Sequence, residues 1–299
     1  MAAIHAPPPP DRVRHPSWRR LLLFAGIAFI GIASLPLLDE ALLSTPRERA
    51  LERRIGTPIL PGWLDSGRER DRKVLLFERI YDGARRNWDL FPGHFARVDA
   101  VFINDEDADF VAASSRILGL DLVFINSRRE EAAEVDEFIH EMAHVWLASL
   151  PDADGFRQRW SRIAGTGYHG CGTYESCDRK ESCLEFQIAT ASASCYGADS
   201  FDEDVAEAVR LVYNLGLFWG SELVPEHLPA VRFHEDVIPR LMQKIELLAE
   251  YRFCSEREAW QARRMLEEYL MAVTSRARGE SPEATRAAEG PASGPRRFR

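Results

Sequence analysis

Five consecutive residues in the middle of the chain, His140-Glu141-Met142-Ala143-His144, combine two imidazoles and a carboxylate at a spacing that suits one metal ion. On a helix, residues four apart differ by about 40° of rotation, so both imidazoles project from one face. Glu141 stands beside them, where it can hold a water, and this H-E-x-x-H arrangement is the zinc-peptidase pattern. Catalytic zinc takes three protein ligands and keeps a fourth position open, so a third ligand must come from elsewhere. A histidine six residues after His144, preceded by a glycine that turns the helix back, would supply it, but those positions hold Leu150 and Leu147. Four carboxylates remain: Glu175, Glu181, Glu185 and Glu203. Glu175 and Glu181 lie among cysteines in an expected loop. Glu203 opens the helical run Glu203-Asp204-Val205-Ala206-Glu207-Ala208-Val209-Arg210, with Glu207 one turn further along the same face. That pair suits a ligand plus an acceptor for the ring N–H of a ligating histidine. An acidic helix start favoured by the macrodipole is the competing structural explanation.

The surrounding pattern supplies elements to position these groups. Residues 128–150 carry Val135, Phe138, Ile139, Met142, Val145 and Trp146 at helical period, with the histidines expected on the side opposite Phe138, Met142 and Trp146, and Pro151 stops the helix. Two short apolar runs before it, Val98–Asn104 and Asp121–Asn126, read as strands. A helix is predicted over Ser66–Arg86, and further helices over Asp202–Leu217, Phe233–Glu250 and Glu256–Arg276. Residues 164–200 read as a long loop. It holds Cys171, Cys177, Cys183 and Cys195, and Cys254 follows later; their spacings do not form the short pairs of structural zinc sites, so disulfides are expected, with one cysteine left over and the pairing open.

Taken together, HEMAH, Tyr196-Gly197 and Glu203 opening E-D-V-A-E-A-V-R resemble the catalytic domain of anthrax lethal factor and related zinc metallopeptidases. The resemblance covers about 75 residues, from the helix before His140 to Arg210. It implies one zinc per chain, bound by His140, His144 and Glu203, with Glu141 activating water and Tyr196 assisting catalysis. It also implies an α+β fold, a mostly helical zincin-like metallopeptidase domain with a small β-sheet. Cys171–Cys195 departs from the family as an insertion, and the toxin's other domains have no counterpart here, so its substrate does not carry over. A peptide or protein substrate is expected to lie extended along a strand edge, either Asp121–Asn126 or Ala112–Leu118.

The ends of the chain add a location. Residues 1–20 form a basic stub with four Arg against one Asp, and Leu21–Leu38 is apolar and uncharged over 18 residues, enough for one transmembrane helix. A positive flank before it and acids after it favour a single-pass protein of the cell membrane, with the N-terminus in the cytoplasm and the domain outside; a cleaved signal segment is the alternative. Residues 39–65 read as a linker, 66–276 as the domain and 277–299 as a disordered tail. The 299 residues are 45% hydrophobic and 28% charged with a net charge of −9, which excludes a disordered or collagen-like chain and argues against nucleic acid as a partner. The contrasting function class is a non-catalytic envelope binding protein whose zinc site is closed by a cysteine of 171–195 or by His169, or which disulfides stabilise. Oligomeric state is not legible.

Overall fold

The computed structural model describes residues 44–62, 65–105, 112–128, 131–165, 167–168, 170, 183–213 and 230–277. The expected stub, the apolar segment 21–38 and the tail beyond Ala277 lie outside them. Among the described residues no helix is long and apolar enough to cross a membrane.

The stretch expected as a linker is folded from Thr45 onwards. Helix α1 (Pro46–Ile55) starts on a capping box, in which the Thr45 side chain accepts from the Glu48 backbone while the Glu48 side chain accepts from the Thr45 backbone, and it ends on Gly56 at φ 79°. Strand β1 (Ile59–Pro61) follows, fully buried. The charge that suggests a solvated linker is consumed internally: Arg70 donates from Nη2 to Glu48 Oε1 at 2.6 Å and from Nε to Oε2 at 3.1 Å, and both side chains are buried.

Helix α2 (Gly67–Asn87), capped by Ser66, and the short α3 (Phe91–Phe95) lead to strand β2 (Ala100–Asn104). Strands β3 (Ala112–Ile117) and β4 (Leu120–Asn126) form a hairpin. Sheet order is β1-β2-β4-β3, with the first two pairings parallel and β3 antiparallel at the edge. Leu118 and Gly119 turn the hairpin at φ 54° and 87°, the sign a two-residue type I′ turn requires. Helix α4 (Glu131–Ala148) packs on β3, β4 and α2, and closely enough that a Cβ at Gly83 would stand 2.9 Å from a Val135 methyl. Phe77, Tyr81, Phe91, Phe95 and Phe138 fill this side of the core with tilted and edge-on ring contacts.

Helices α5 (Ala153–Ala164), α6 (Cys183–Thr190), α7 (Phe201–Tyr213), α8 (Ala230–Glu250) and α9 (Glu256–Ala277) build the other half. Two of these depart from expectation. Helix α5, capped by Asp152, buries Phe156 and Trp160 one turn apart, and α6 lies within the stretch read as a loop. The whole is a mixed α+β fold, mostly helical with a small sheet.

Candidate metal centre

From Val135 to Leu147 no residue of helix α4 is exposed, and Phe138, Ile139, Met142 and Ala143 are buried beside His140, itself 2% exposed. The expected separation of a histidine face from an apolar face is therefore corrected: the first imidazole points into the protein against α7, not into solvent. Helix α7 packs along α4 and brings Glu203, in its first turn, onto both rings. His140 Nε2 and His144 Nε2 are 3.1 Å apart; Glu203 Oε2 is 3.0 Å from the first and 3.5 Å from the second.

Glu207, fully buried one turn beyond Glu203, fixes what those atoms carry. As a carboxylate it can only accept, so His140 Nδ1–H donates to Glu207 Oε1 at 2.9 Å, and the other ring nitrogen, Nε2, faces Glu203. Glu203 Oε2 is buried without a donor of acceptable hydrogen-bond geometry. Two imidazole nitrogens and a carboxylate oxygen thus converge from three sides, an arrangement that favours a cation at their centre, whether a proton or a metal ion. Zinc–ligand bonds of about 2.0–2.1 Å put tetrahedral neighbours about 3.3 Å apart, which the observed triangle approximates. His140, Glu141 and His144 also form a cluster whose possible ligand atoms lie within 4.8 Å of one another. Burial works against a charged His140, yet Glu203 and Glu207 outweigh it and raise its pKa well above the usual imidazole value. Burial likewise opposes ionised Glu203, but the two imidazoles hold its carboxyl far below the usual range.

Glu207 is itself held. Arg210, one turn on, donates to the same Oε1 at 3.2 Å and reaches Asp136 Oδ2 at 3.3 Å. Ser194 hydrogen-bonds Glu207 as well, and its Oγ accepts from the Gly197 backbone at 3.0 Å. A Cβ at Gly197 would lie 3.2 Å from Glu207 Cβ, so this glycine allows the loop to lie against α7.

The residue after Glu203 faces the other way. Asp204 is fully buried, accepts from Trp160 Nε1 and Tyr168 Oη at 2.8 Å each, and pairs with Lys244 of α8 at 2.6 Å. Lys244 Nζ also donates to the Thr190 and Ala191 carbonyls at 2.9 Å. One turn earlier, Arg240 donates to the Ile163 and Ala164 carbonyls ending α5 and to the Ile188 and Ala189 carbonyls ending α6. Two cations on α8 thereby satisfy the open carbonyl ends of two helices and fix the stretch that leads into Tyr196 and Glu203.

Glu141, His144 and Glu203 line a cleft of about 630 Å³. One wall is Ala113–Arg116 on the edge strand β3; the other includes Arg157 of α5 and Phe201, with the Arg157 guanidinium 4.0 Å from the Phe201 ring centre. Tyr196 hydrogen-bonds Glu203, and its ring lies 6.0 Å from that of His140. Burial, with Glu203 adding to it, raises the phenol's pKa, so it stays a neutral donor.

His140, Glu141, His144, Tyr196, Glu203 and Glu207 therefore converge. Of the rival ligands, Glu185 is exposed on α6, whereas Glu175, Glu181 and His169 lie outside the described residues. Of the two strand edges considered for substrate, β4 is interior and β3 is, among the described residues, unpaired on one side. Cys254 is a free buried thiol, and Cys195 is disulfide-bonded. Sequence reasoning missed Arg210, Ser194 and Lys244. Arg210 alone left a signal, as a base three residues after Glu207.

No protein-family model matches the chain, and no curated protein is significantly similar to it. A crystal structure from Bacteroides caccae, described as a "putative zinc-binding metallo-peptidase", is similar to it with a TM-score of 0.49 and 12% identity, over 75% of this chain and 93% of that one. That likeness concerns the chain path and does not reach the chemistry.

Proposed function

We propose that this chain is a zinc-dependent peptidase of the type with two helical histidines and a distant glutamate ligand. The observation that carries the reading is the triangle of His140 Nε2, His144 Nε2 and Glu203 Oε2, three buried or half-buried potential ligand atoms drawn together, with Glu207 holding the other nitrogen of His140. Those three side chains would hold one zinc. Zinc, when bound, supplies Lewis acidity, polarising a carbonyl and lowering the pKa of water towards about 7. The remaining work falls to the protein. Glu141, on the cleft side of the helix, accepts the proton of the attacking water and returns it to the departing amine. Tyr196 donates a hydrogen bond to the oxyanion that develops on the substrate. Glu207 holds the proton of His140 Nδ1, so that Nε2 is the nitrogen that would bind the metal. The free edge of β3 offers backbone groups to an extended peptide, along the wall of the same cleft.

On sequence grounds we place the domain outside the cytoplasm, tethered through residues 21–38. The test is zinc content alongside hydrolysis of an unstructured protein such as casein. One zinc per chain is expected. Glu141→Gln should keep the zinc and lose about 10²–10⁴-fold in rate, and Glu203→Ala should lose the metal. A zinc-loaded wild type that cleaves nothing, or Glu141→Gln retaining full activity, would overturn the reading.

A further inference from the structure

The cleft continues beyond the metal centre. Arg116, Asp121 and Ala148 line both the cleft described above and an adjoining depression of about 580 Å³, which runs over the end of α4 to Arg97. The two ends differ in charge. Glu141 and Glu203 stand at the inner end, whereas the outer depression is lined by two arginines and, among the described residues, one acid, Asp121.

The two guanidinium groups are held in place without being saturated. Arg97 sits 5.1 Å from the centre of the Trp146 ring, and its side chain makes no hydrogen bond or ion pair among the described residues. Stacking orients a guanidinium while leaving its in-plane N–H groups available. Arg116 donates from Nη1 to the Ala148 carbonyl at 2.7 Å and approaches Asp121 Oδ1 through Nε at 3.4 Å, leaving Nη2 uncommitted on a side chain that is half exposed. Asp121 is 7% exposed and its backbone N–H is tied to Asp99, so it cannot swing out to satisfy both arginines. Asp99 does not line the depression, so among the described residues its lining carries one more positive than negative charge.

Resting on the peptidase reading, we propose that this outer depression is a specificity subsite that receives a carboxylate side chain of the peptide substrate through Arg97 and Arg116. Helix α4 rises about 1.5 Å per residue, so Ala148, its last residue, lies about 6 Å beyond His144 along its axis, and the depression continues past that end. An extended peptide advances about 3.3 Å per residue. The recognised acid therefore falls two or three residues from the scissile bond, on one side only.

The test is a peptide series with one fixed cleavage site and a single Glu or Gln placed at each of the four positions on either side. At one position, replacing Glu by Gln should raise KM about three- to tenfold, with kcat little changed, the size expected for a partly exposed charge pair. The difference should vanish in Arg97→Gln/Arg116→Gln and shrink in 0.5 M salt. Both arginines are exposed or half exposed, and unchanged zinc content and denaturation midpoint verify that the variant folds. Equal KM for Glu and Gln at every position, or a preference that survives in the double variant, would overturn the proposal. A parallel arm measures anisotropy of the labelled Glu and Gln peptides on zinc-loaded Glu141→Gln protein. If wild type cleaves no peptide, the peptidase reading fails and this arm alone decides: an arginine-dependent preference for Glu upholds the subsite, and equal binding refutes it.

Discussion

Glu207 touches no substrate and supplies no metal ligand, so its replacement separates the orientation of a ligand from ligation itself. Glu207→Gln keeps the side chain's shape and one acceptor oxygen for His140 Nδ1–H but removes the charge that makes this 2.9 Å bond strong. Glu207→Leu removes the acceptor. Loss of such a partner behind a metal-binding histidine typically costs 10–100-fold in metal affinity, so we expect about tenfold for Gln and about a hundredfold for Leu, or roughly 1.4 and 2.8 kcal/mol. Arg210 is not orphaned by either change, because Asp136 and Glu137 remain 3.3 and 3.7 Å from its guanidinium. The loss should therefore appear in zinc affinity more than in the stability of the metal-free fold. Competition against a chromophoric zinc chelator gives the affinity, and urea denaturation in excess chelator gives the control. Zinc affinity within twofold of wild type in both variants would refute the tautomer argument, and so would a fall in metal-free stability equal to the fall in binding energy.

Two further outcomes follow from groups away from the metal. His94 is buried between Trp88 and Trp146, with Nδ1 unpartnered among the described residues; burial lowers its pKa to about 4 despite the bond from Nε2 to the Arg252 carbonyl. The unfolded chain binds this proton near pH 6.5, so the contribution is complete above that pH and is lost as pH falls towards 4. It is worth roughly 3 kcal/mol across the window. The stability of zinc-free wild type should accordingly fall more steeply between pH 6.5 and 4 than that of His94→Gln, and parallel curves would contradict the assignment. Lys244→Met strands the fully buried Asp204 carboxylate, an effect that usually costs about 3–5 kcal/mol, whereas Lys244→Met/Asp204→Asn should recover part of it. Chemical denaturation checks both, and a double variant no more stable than the single one would contradict the pairing.

Much of the metal centre is legible because its parts are local. His140 and His144 are four residues apart, as are Glu203 and Glu207, and helical period alone puts each pair on one face. What periodicity cannot decide is the assignment of neighbouring acids. Glu203 and Asp204 read as one acidic helix start, yet one faces two imidazoles and the other a lysine forty residues away, a difference set by where α8 packs. The same limit hid α1 and β1: Arg47, Glu48, Glu52, Arg53 and Arg54 look solvated until Arg70 is known to meet Glu48 in the interior. The capping pattern Thr45-Pro46-Arg47-Glu48 was nonetheless present to be read. Helix α6 is eight residues long, and its C-terminal carbonyls are satisfied by Arg240 and Lys244 from a distant segment, so the local sequence gives little warning of it.

The two cations on α8 also make that helix a silent participant in metal binding. Arg240 and Lys244 close the ends of α5 and α6 and grip Asp204, the immediate neighbour of Glu203. Any ion that requires Glu203 in place is thermodynamically linked to the docking of α8, and the linkage is reciprocal. Chelation would loosen a helix that offers no ligand, and undocking that helix would release the ion. Metal retention during stepwise denaturation thus becomes a gauge of the C-terminal half of the fold.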